Sequence, residues 1–228
     1  MRWLIVLVAL FAAGCSGSSP TAPAPVVTPP TPIVTPPALV SMITVSACPE
    51  TVSGLDLGFY RQIGCNAFDN PLQPVRRWAF APKLYIRTID EAGAAIDPVT
   101  LDTVAGAMGA TAAAWAGGKF GLAAIERGTE TREGRSGWIT VKWTTTTERC
   151  GLAQVAVDGG WIQFSPQRAQ CACNGSRIYA RAAAHELGHA LGYYHTDSQT
   201  DVMSGQTPAT CDASPSAREL SAAVYQYR

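Results

Sequence analysis

The stretch AHELGHALGYYH, residues 184–195, contains the three histidines of this 228-residue chain: His185, His189 and His195. On a helix, positions four apart lie on one face, so the first two imidazoles can point at the same place. Glu186 lies one position further on, about 100° around the helix, and therefore beside that place. The spacing predicts two nitrogen ligands for a metal ion, with a carboxylate next to them.

Gly192 indicates where this helix ends. Glycine costs roughly 1 kcal/mol relative to alanine in a helix interior, but it readily adopts the left-handed backbone that reverses a chain. A reversal after Gly192 allows His195 to return as a third ligand. Three histidines with one open position are the geometry of a catalytic Zn²⁺ site rather than of a closed structural one.

The pattern of residues 185–195, HExxHxxGxxH, resembles the elongated zinc motif of the metzincin peptidases. TDVMSG, residues 200–205, places Met203 eight positions after His195, similar to the methionine turn of these enzymes. This spacing resembles the matrixin branch, and the resemblance covers roughly residues 77–228. It implies a zinc metalloendopeptidase of protein or peptide substrates, here in the form of a bacterial lipoprotein.

The resemblance also implies a role for each motif residue. His185, His189 and His195 are expected to hold one Zn²⁺, and Glu186 to act as general base towards a zinc-bound water. Met203 is expected to form a structural floor beneath the metal. An extended peptide is expected to pair with an edge strand, with AQVAV (153–157) or a neighbouring stretch as the candidate. Structural Ca²⁺ is known in such enzymes, but no acidic loop indicates it here.

The sequence departs from the matrixin pattern in three places. Thr196 follows the third histidine, where matrixins usually carry serine. Gly205 stands two positions after Met203, where some metzincins place a tyrosine ligand. No stretch upstream resembles the matrixin cysteine switch, which argues against matrixin-style latency.

The N-terminus predicts export and lipidation. Residues 1–14 have a basic start and an apolar run too short to span a bilayer, as in a signal peptide. LFAAGC then resembles a lipobox, which predicts cleavage before Cys15, acylation of its sulfur, and a membrane anchor at the cell envelope. An ordinary signal peptide or an anchor helix are the alternatives. Eight prolines in residues 15–38 predict an extended linker.

The number of cysteines supports the prediction that Cys15 is acylated. Seven cysteines are an odd number for an exported protein, and setting Cys15 aside leaves six that can pair. A bridge between Cys48 and Cys65 is expected within residues 39–76. Cys150 is expected to pair with one of the two cysteines of CAC (171–173), and Cys211 with the other. The six candidates are Cys48, Cys65, Cys150, Cys171, Cys173 and Cys211.

The order of elements predicts an α+β domain. Residues 39–76 are expected to form a small N-terminal extension, and residues 77–228 the peptidase domain. The resemblance implies a twisted, mostly parallel sheet with an antiparallel edge strand, an active-site helix and a C-terminal helix. The predicted strands fall in 83–90, 120–128, 138–147 and 153–165, and the helices run from Asp97-Pro98 to Gly117-Gly118, over 176–192 capped by Ser176, and over 214–227 with Pro215 in the first turn.

Composition limits the range of functions. Seventeen basic residues balance seventeen acidic ones, so no overall field attracts nucleic acid. We expect a monomer whose partners are a peptide substrate and, through Cys15, a lipid membrane. The alternative in another class is a catalytically silent, zinc-binding adhesion lipoprotein, which would be expected to lose Glu186 or a histidine. A third hypothesis is a hydrolase of non-protein amides.

Overall fold

A computed structural model describes residues 41–146, 148–172, 175–206, 211 and 213–228. In this structure, the helix that carries His185 and His189 lies against a five-stranded sheet. The described residues form one compact unit. The elements in chain order are β1 (Ile43–Ser46), α1 (Leu57–Cys65), β2 (Val75–Trp78), β3 (Lys83–Arg87), α2 (Pro98–Trp115), β4 (Ala124–Gly128), β5 (Trp138–Trp143), β6 (Gly151–Ala153), β7 (Trp161–Phe164), a 3₁₀ turn (Ala169–Cys171), α3 (Ala180–Leu191) and α4 (Ala217–Gln226).

The five-stranded sheet has the order β4-β3-β5-β7-β6. Strands β4, β3, β5 and β7 are parallel, and β6 pairs with β7 in the antiparallel direction. The central strand β5 is WITVKW, whose β-branched and aromatic residues suit a strand covered on both faces. The predicted α+β class, with a mostly parallel sheet and an antiparallel edge strand, is confirmed.

Helix α2 begins as its sequence predicts. The Asp97 carboxylate accepts a hydrogen bond from Thr100 N at 2.9 Å, and Pro98 occupies the first turn, where its missing N–H is not needed. The helix ends at Trp115, whose ring is fully buried and whose Nε1 donates to Ala184 O at 3.0 Å. Helix α2 thus supports α3 directly below the histidines.

Three local predictions are wrong. Ser176 does not cap α3, because its hydroxyl donates to Ile178 O and the helix begins only at Ala180. AQVAV is not a strand beyond its first residue: the edge strand is β6, and the chain from 154 to 160 is a loop. Pro215 precedes α4 instead of entering its first turn, since Ser216 is the N-cap.

The described part of the predicted N-terminal extension packs on the rest of the unit. Strands β1 and β2 form an antiparallel pair, and Ile63 and Cys65 of α1 are completely buried. Cys48 and Cys65 form the expected disulfide. The boundary at residue 76 stays a prediction, and the signal peptide (1–14), Cys15 and the linker (15–38) lie outside the described residues. Among the helices that are described, none is long and apolar enough to cross a membrane.

Candidate metal centre

The three histidines of the motif converge on one point. His185 and His189 project from α3, and His195 comes from the segment that follows it. One nitrogen atom from each ring lies within 4.8 Å of those of the other two. The ring centroids are separated by 4.7 Å (185–189), 5.2 Å (185–195) and 4.8 Å (189–195). The structure therefore brings together all three predicted ligands.

Gly192 makes this convergence sterically feasible. It ends α3 with φ +116°, in the left-handed region that side chains disfavour. A Cβ atom on Gly192 would also lie 3.0 Å from the carbonyl carbon of Arg76. Tyr193 N then donates to Gly188 O at 3.0 Å, which closes the reversal. Both the backbone conformation and the space at position 192 favour glycine.

The hydrogen bonds of the rings fix their protonation. Each Nδ1 lies 2.7 Å from an oxygen that only accepts: Val202 O for His185, Tyr193 O for His189, and Asp69 Oδ2 for His195. Each Nδ1 must therefore carry the proton and donate it. The Nε2 atoms are therefore the ring nitrogens that face the centre.

This arrangement fits a metal ion. The Nε2 atoms of His189 and His195 are only 3.2 Å apart. Two ring nitrogens that face each other at this distance need a shared cation between them, either a proton or a metal ion. Three imidazole nitrogens suit Zn²⁺ and related divalent ions, and the outer hydrogen bonds orient the rings as in known sites.

Burial also favours the neutral form of His185 and His189. Loss of hydration lowers the pKa of His185 to about 4, with smaller effects of its neighbours His195 and Arg181. Burial likewise places the pKa of His189 well below its usual value, and the neighbouring imidazoles act in the same direction. Without any ion, these two rings are already in the unprotonated form that binds metal at neutral pH.

Glu186 is a buried carboxyl at the edge of the same cleft. Its side chain is tightly covered by Gly151 of β6, since a Cβ there would lie 2.6 Å from Glu186 Cγ. Within the described residues, its buried Oε2 has no hydrogen-bond partner. Burial raises the pKa of Glu186 to about 8, partly opposed by the Arg149 guanidinium. A cation held by the histidines would favour its carboxylate form.

Met203 packs against the α3 backbone at Gly188, the residue before His189. It is completely buried, and a Cβ on Gly188 would collide with its Sδ atom. Its backbone N–H donates to Glu219 Oε1 at 2.7 Å, and its carbonyl accepts from Thr196 N at 2.8 Å. The segment around Met203 thus connects α4 to the residue that follows the third histidine.

Thr196, one of the three departures from the matrixin pattern, has a hydrogen-bond partner for its hydroxyl group within the protein. Its hydroxyl donates to Asp201 Oδ2 at 2.8 Å, and its side chain is completely buried. Asp201 also accepts from Ser216 Oγ at 2.8 Å and from Arg218 Nε at 3.0 Å. The buried carboxylate of Asp201 therefore joins the histidine segment to the start of α4.

The centre opens into a cleft with a volume of about 720 Å³. Strand β6 forms one rim, and Tyr179 and Arg181 of the α3 region line the cleft. Cys150, which precedes β6, forms a disulfide with Cys171, in agreement with the expected pairing. Cys211 is also disulfide-bonded, and Cys173 lies outside the described residues.

Sequence reasoning missed the partners that hold the site together. Two acceptors, Val202 O and Tyr193 O, belong to the backbone and leave no trace in residue type. Asp69 lies in a turn 126 positions before its histidine, and Glu219 lies in the first turn of α4, where an acidic residue is expected for helix capping alone. The general need of a ligating histidine for an acceptor at Nδ1 was the one available signal.

No protein-family model matches the chain. No curated protein sequence matches it either. Among solved structures that match is the crystal structure of metalloproteinase-II from Bacteroides fragilis, with 12% sequence identity and a TM-score of 0.43. The match covers 72% of this chain and 65% of the other, so it spans less than two thirds of that protein's length. At this level of similarity, function has to be inferred from the site itself.

Proposed function

We propose that this chain is a zinc-dependent endopeptidase, anchored to a bacterial cell envelope through acylated Cys15. One observation carries the proposal: the three histidines converge in the same cleft as a buried carboxyl oxygen, Glu186 Oε2, that has no partner in the described residues. A nitrogen cluster alone supports metal binding. The unpartnered carboxyl beside it supports a reaction that needs a base.

His185, His189 and His195 would hold the ion. When bound, Zn²⁺ supplies Lewis acidity towards a water molecule and towards the carbonyl oxygen of the scissile bond. Glu186 Oε2 accepts the proton that the attacking water gives up. The same carboxyl then returns this proton to the amide nitrogen as the C–N bond breaks, so that the products are one carboxylic acid and one amine.

The edge strand β6 supports an extended peptide as the substrate. It is the terminal strand of the described sheet and forms a rim of the cleft, and its residue Gly151 lies against Glu186. A peptide that pairs with β6 would place its backbone carbonyls next to the base. The two disulfides support an oxidising compartment, as the envelope location requires.

The test compares the purified full chain with Glu186→Gln, which keeps the shape of the side chain but cannot take a proton. We expect both proteins to bind one zinc ion per chain. Casein and quenched-peptide cleavage should fall by roughly 10²- to 10⁴-fold in the variant, the usual contribution of a general base. Glu126→Gln, the same change at an exposed residue of β4, should leave cleavage unchanged.

Three results would contradict the proposal. A wild-type protein that binds no zinc would remove the site assignment. Zinc binding without cleavage of any peptide would favour the silent adhesion lipoprotein instead. Full activity in Glu186→Gln would show that another group is the base.

A further inference from the structure

The segment that carries the third histidine is held by residues 62–69, which belong to the predicted N-terminal extension. Tyr194 N donates to Ile63 O at 2.8 Å. Asp197 N donates to Gln62 Oε1 at 3.2 Å, and Gln62 Nε2 donates back to Asp197 Oδ2 at 3.2 Å. The residues on both sides of His195 are therefore bonded to α1.

Asp69 contacts the histidine itself. Its Oδ2 accepts the Nδ1 proton of His195 at 2.7 Å. The neighbouring Phe68 ring packs beside the same residue, because a Cβ on Gly205 would lie 3.0 Å from the Phe68 ring and 3.5 Å from His195 Cβ. Asp69 thus orients the third imidazole, and Phe68 lies close to the same segment.

The loop that carries Asp69 is held in place by a disulfide and by backbone hydrogen bonds. It leaves α1 at Cys65, which is completely buried and bonded to Cys48. Asn66 ends the helix with φ +63°, and Asn70 N donates back to Asn66 O at 2.9 Å. Gln73 N then donates to Cys65 O at 2.8 Å, which closes the loop at its base.

The three histidines differ in one respect. His185 and His189 donate to backbone carbonyls, whereas His195 donates to a carboxylate. A carboxylate partner fixes the tautomer of a ligating histidine and raises the basicity of the nitrogen that faces the metal. Removal of this partner should therefore weaken the third ligand selectively.

We propose that Asp69 is the positioning residue for His195, and that residues 62–69 are a permanent part of the metal centre rather than a removable inhibitory segment. This inference rests on the proposed function in one respect, that the three histidines hold a metal ion. It predicts that the affinity of the centre for zinc depends on a side chain distant from the HExxH helix in sequence.

The first measurement is the zinc affinity of the full chain, in competition with a chelating indicator. Asp69→Ala should bind zinc roughly 10- to 100-fold more weakly than wild type, as expected for loss of an outer hydrogen-bond partner. Asp69→Asn should recover part of the affinity because its amide oxygen still accepts a hydrogen bond. Asp102→Asn changes the charge by the same amount at an exposed position paired with Arg127, and should have no effect.

The second measurement reads the tautomers directly in the metal-free protein. The chain has three histidines, so long-range ¹H–¹⁵N spectra contain three imidazole patterns. In wild type, all three should be protonated at Nδ1. In Asp69→Ala, His195 alone should become a mixture of tautomers, while His185 and His189 keep their carbonyl partners. A general loss of structure would change all three.

An unchanged zinc affinity and an unchanged His195 tautomer in Asp69→Ala would overturn the positioning role. If the wild-type protein bound no zinc, the proposed function would fail. The tautomer of His195 would then decide the role of Asp69 separately. The two ideas therefore fail in different ways.

Discussion

Gly188 is constrained by packing, although its position in the middle of α3 would otherwise favour alanine. A Cβ at this position meets Met203 Sδ and lies 3.4 Å from the Trp115 ring. Gly188→Ala gains about 1 kcal/mol of helix propensity but overfills a closed site, which typically costs about 1–3 kcal/mol. We expect a net destabilisation, measured by urea unfolding, and weaker zinc binding as Met203 is displaced.

Gly106→Ala is the matched control for this substitution. Gly106 lies in the middle of α2 on an exposed face, and an added Cβ meets nothing within 4 Å. Here the propensity gain acts alone, so this variant should be more stable than wild type by up to about 1 kcal/mol. Equal stabilisation by both alanines would show that Met203 moves aside without cost.

Residue types predicted which three histidines come together but not their hydrogen-bond partners. The spacing of His185, Glu186 and His189 follows from helix geometry, which is local. The acceptors at Nδ1 depend on chain reversals and long-range contacts, and two of them are backbone carbonyls. Asp69 looked like an ordinary turn residue, because aspartate is common in turns for local reasons.

At the scale of the elements, the start of α4 organises the loop beneath the histidines. Glu219 and Ser216 form a reciprocal capping box. The Glu219 carboxylate also accepts from Val202 N at 3.1 Å and Met203 N at 2.7 Å. Burial raises the pKa of Glu219, so these backbone donors partly offset the loss of hydration. A helix cap therefore supports the carbonyl that orients His185.

Glu219→Gln should destabilise the protein because it turns an amide donor towards backbone donors. Leaving buried groups without acceptors costs about 1–3 kcal/mol. We expect a loss of that size in urea unfolding, together with weaker zinc binding through the displaced Val202 carbonyl. Glu50→Gln, at an exposed residue, should change neither quantity. If Glu219→Gln kept the zinc affinity of the wild type, α4 would have no influence on metal binding.

The elements that carry local signals were predicted best. Helix α2 has Asp97-Pro98 at its start, and both act as expected. Helix α3 starts later than Ser176 because Tyr179 N is bonded to Cys171 O, a contact that sequence periodicity does not contain. AQVAV alternates like a strand, but the β6–β7 ladder ends at Ala153, and beyond it Gln154 N donates to Trp161 O before the chain turns away. Pairing depends on the neighbouring strand and not on the pattern alone.

At the scale of the whole molecule, metal binding should stabilise the fold. The ligands come from α3 and from a segment tied to α1 and α4, so the ion connects separate parts of the structure. A ligand present at 1,000 times its dissociation constant adds about 4 kcal/mol, which corresponds to roughly 10 °C in melting temperature for a domain of this size. Calorimetry with zinc and with a chelator measures the difference.

The zinc-dependent increase should shrink as the pH falls, because protons compete for the three Nε2 atoms. A variant with His185→Ala and His189→Ala should show no zinc-dependent increase at any pH. An equal increase in that variant would mean that zinc binds elsewhere on the chain.

The sequence predicted the class of the fold more successfully than the strand order and the contacts between elements. The order of strands and helices was sufficient for an α+β domain, whereas the mostly parallel sheet was implied by the family resemblance. The strand order was not predictable from that pattern, nor was the close association of α1 with the metal centre. Both depend on which surfaces meet in the folded chain, and periodicity specifies only which face of an element is apolar.

The hydrogen bond between Asp69 and His195 joins residues 126 positions apart, and this separation has a consequence for the order of folding. The pair His185 and His189 can form with a single helix, whereas the third ligand is oriented only after distant parts of the chain have closed. A partly folded chain therefore holds at most a two-histidine site. Under the proposed function, hydrolytic competence should therefore arise as a late step of folding, when most of the chain is already buried and protected from cleavage by other copies.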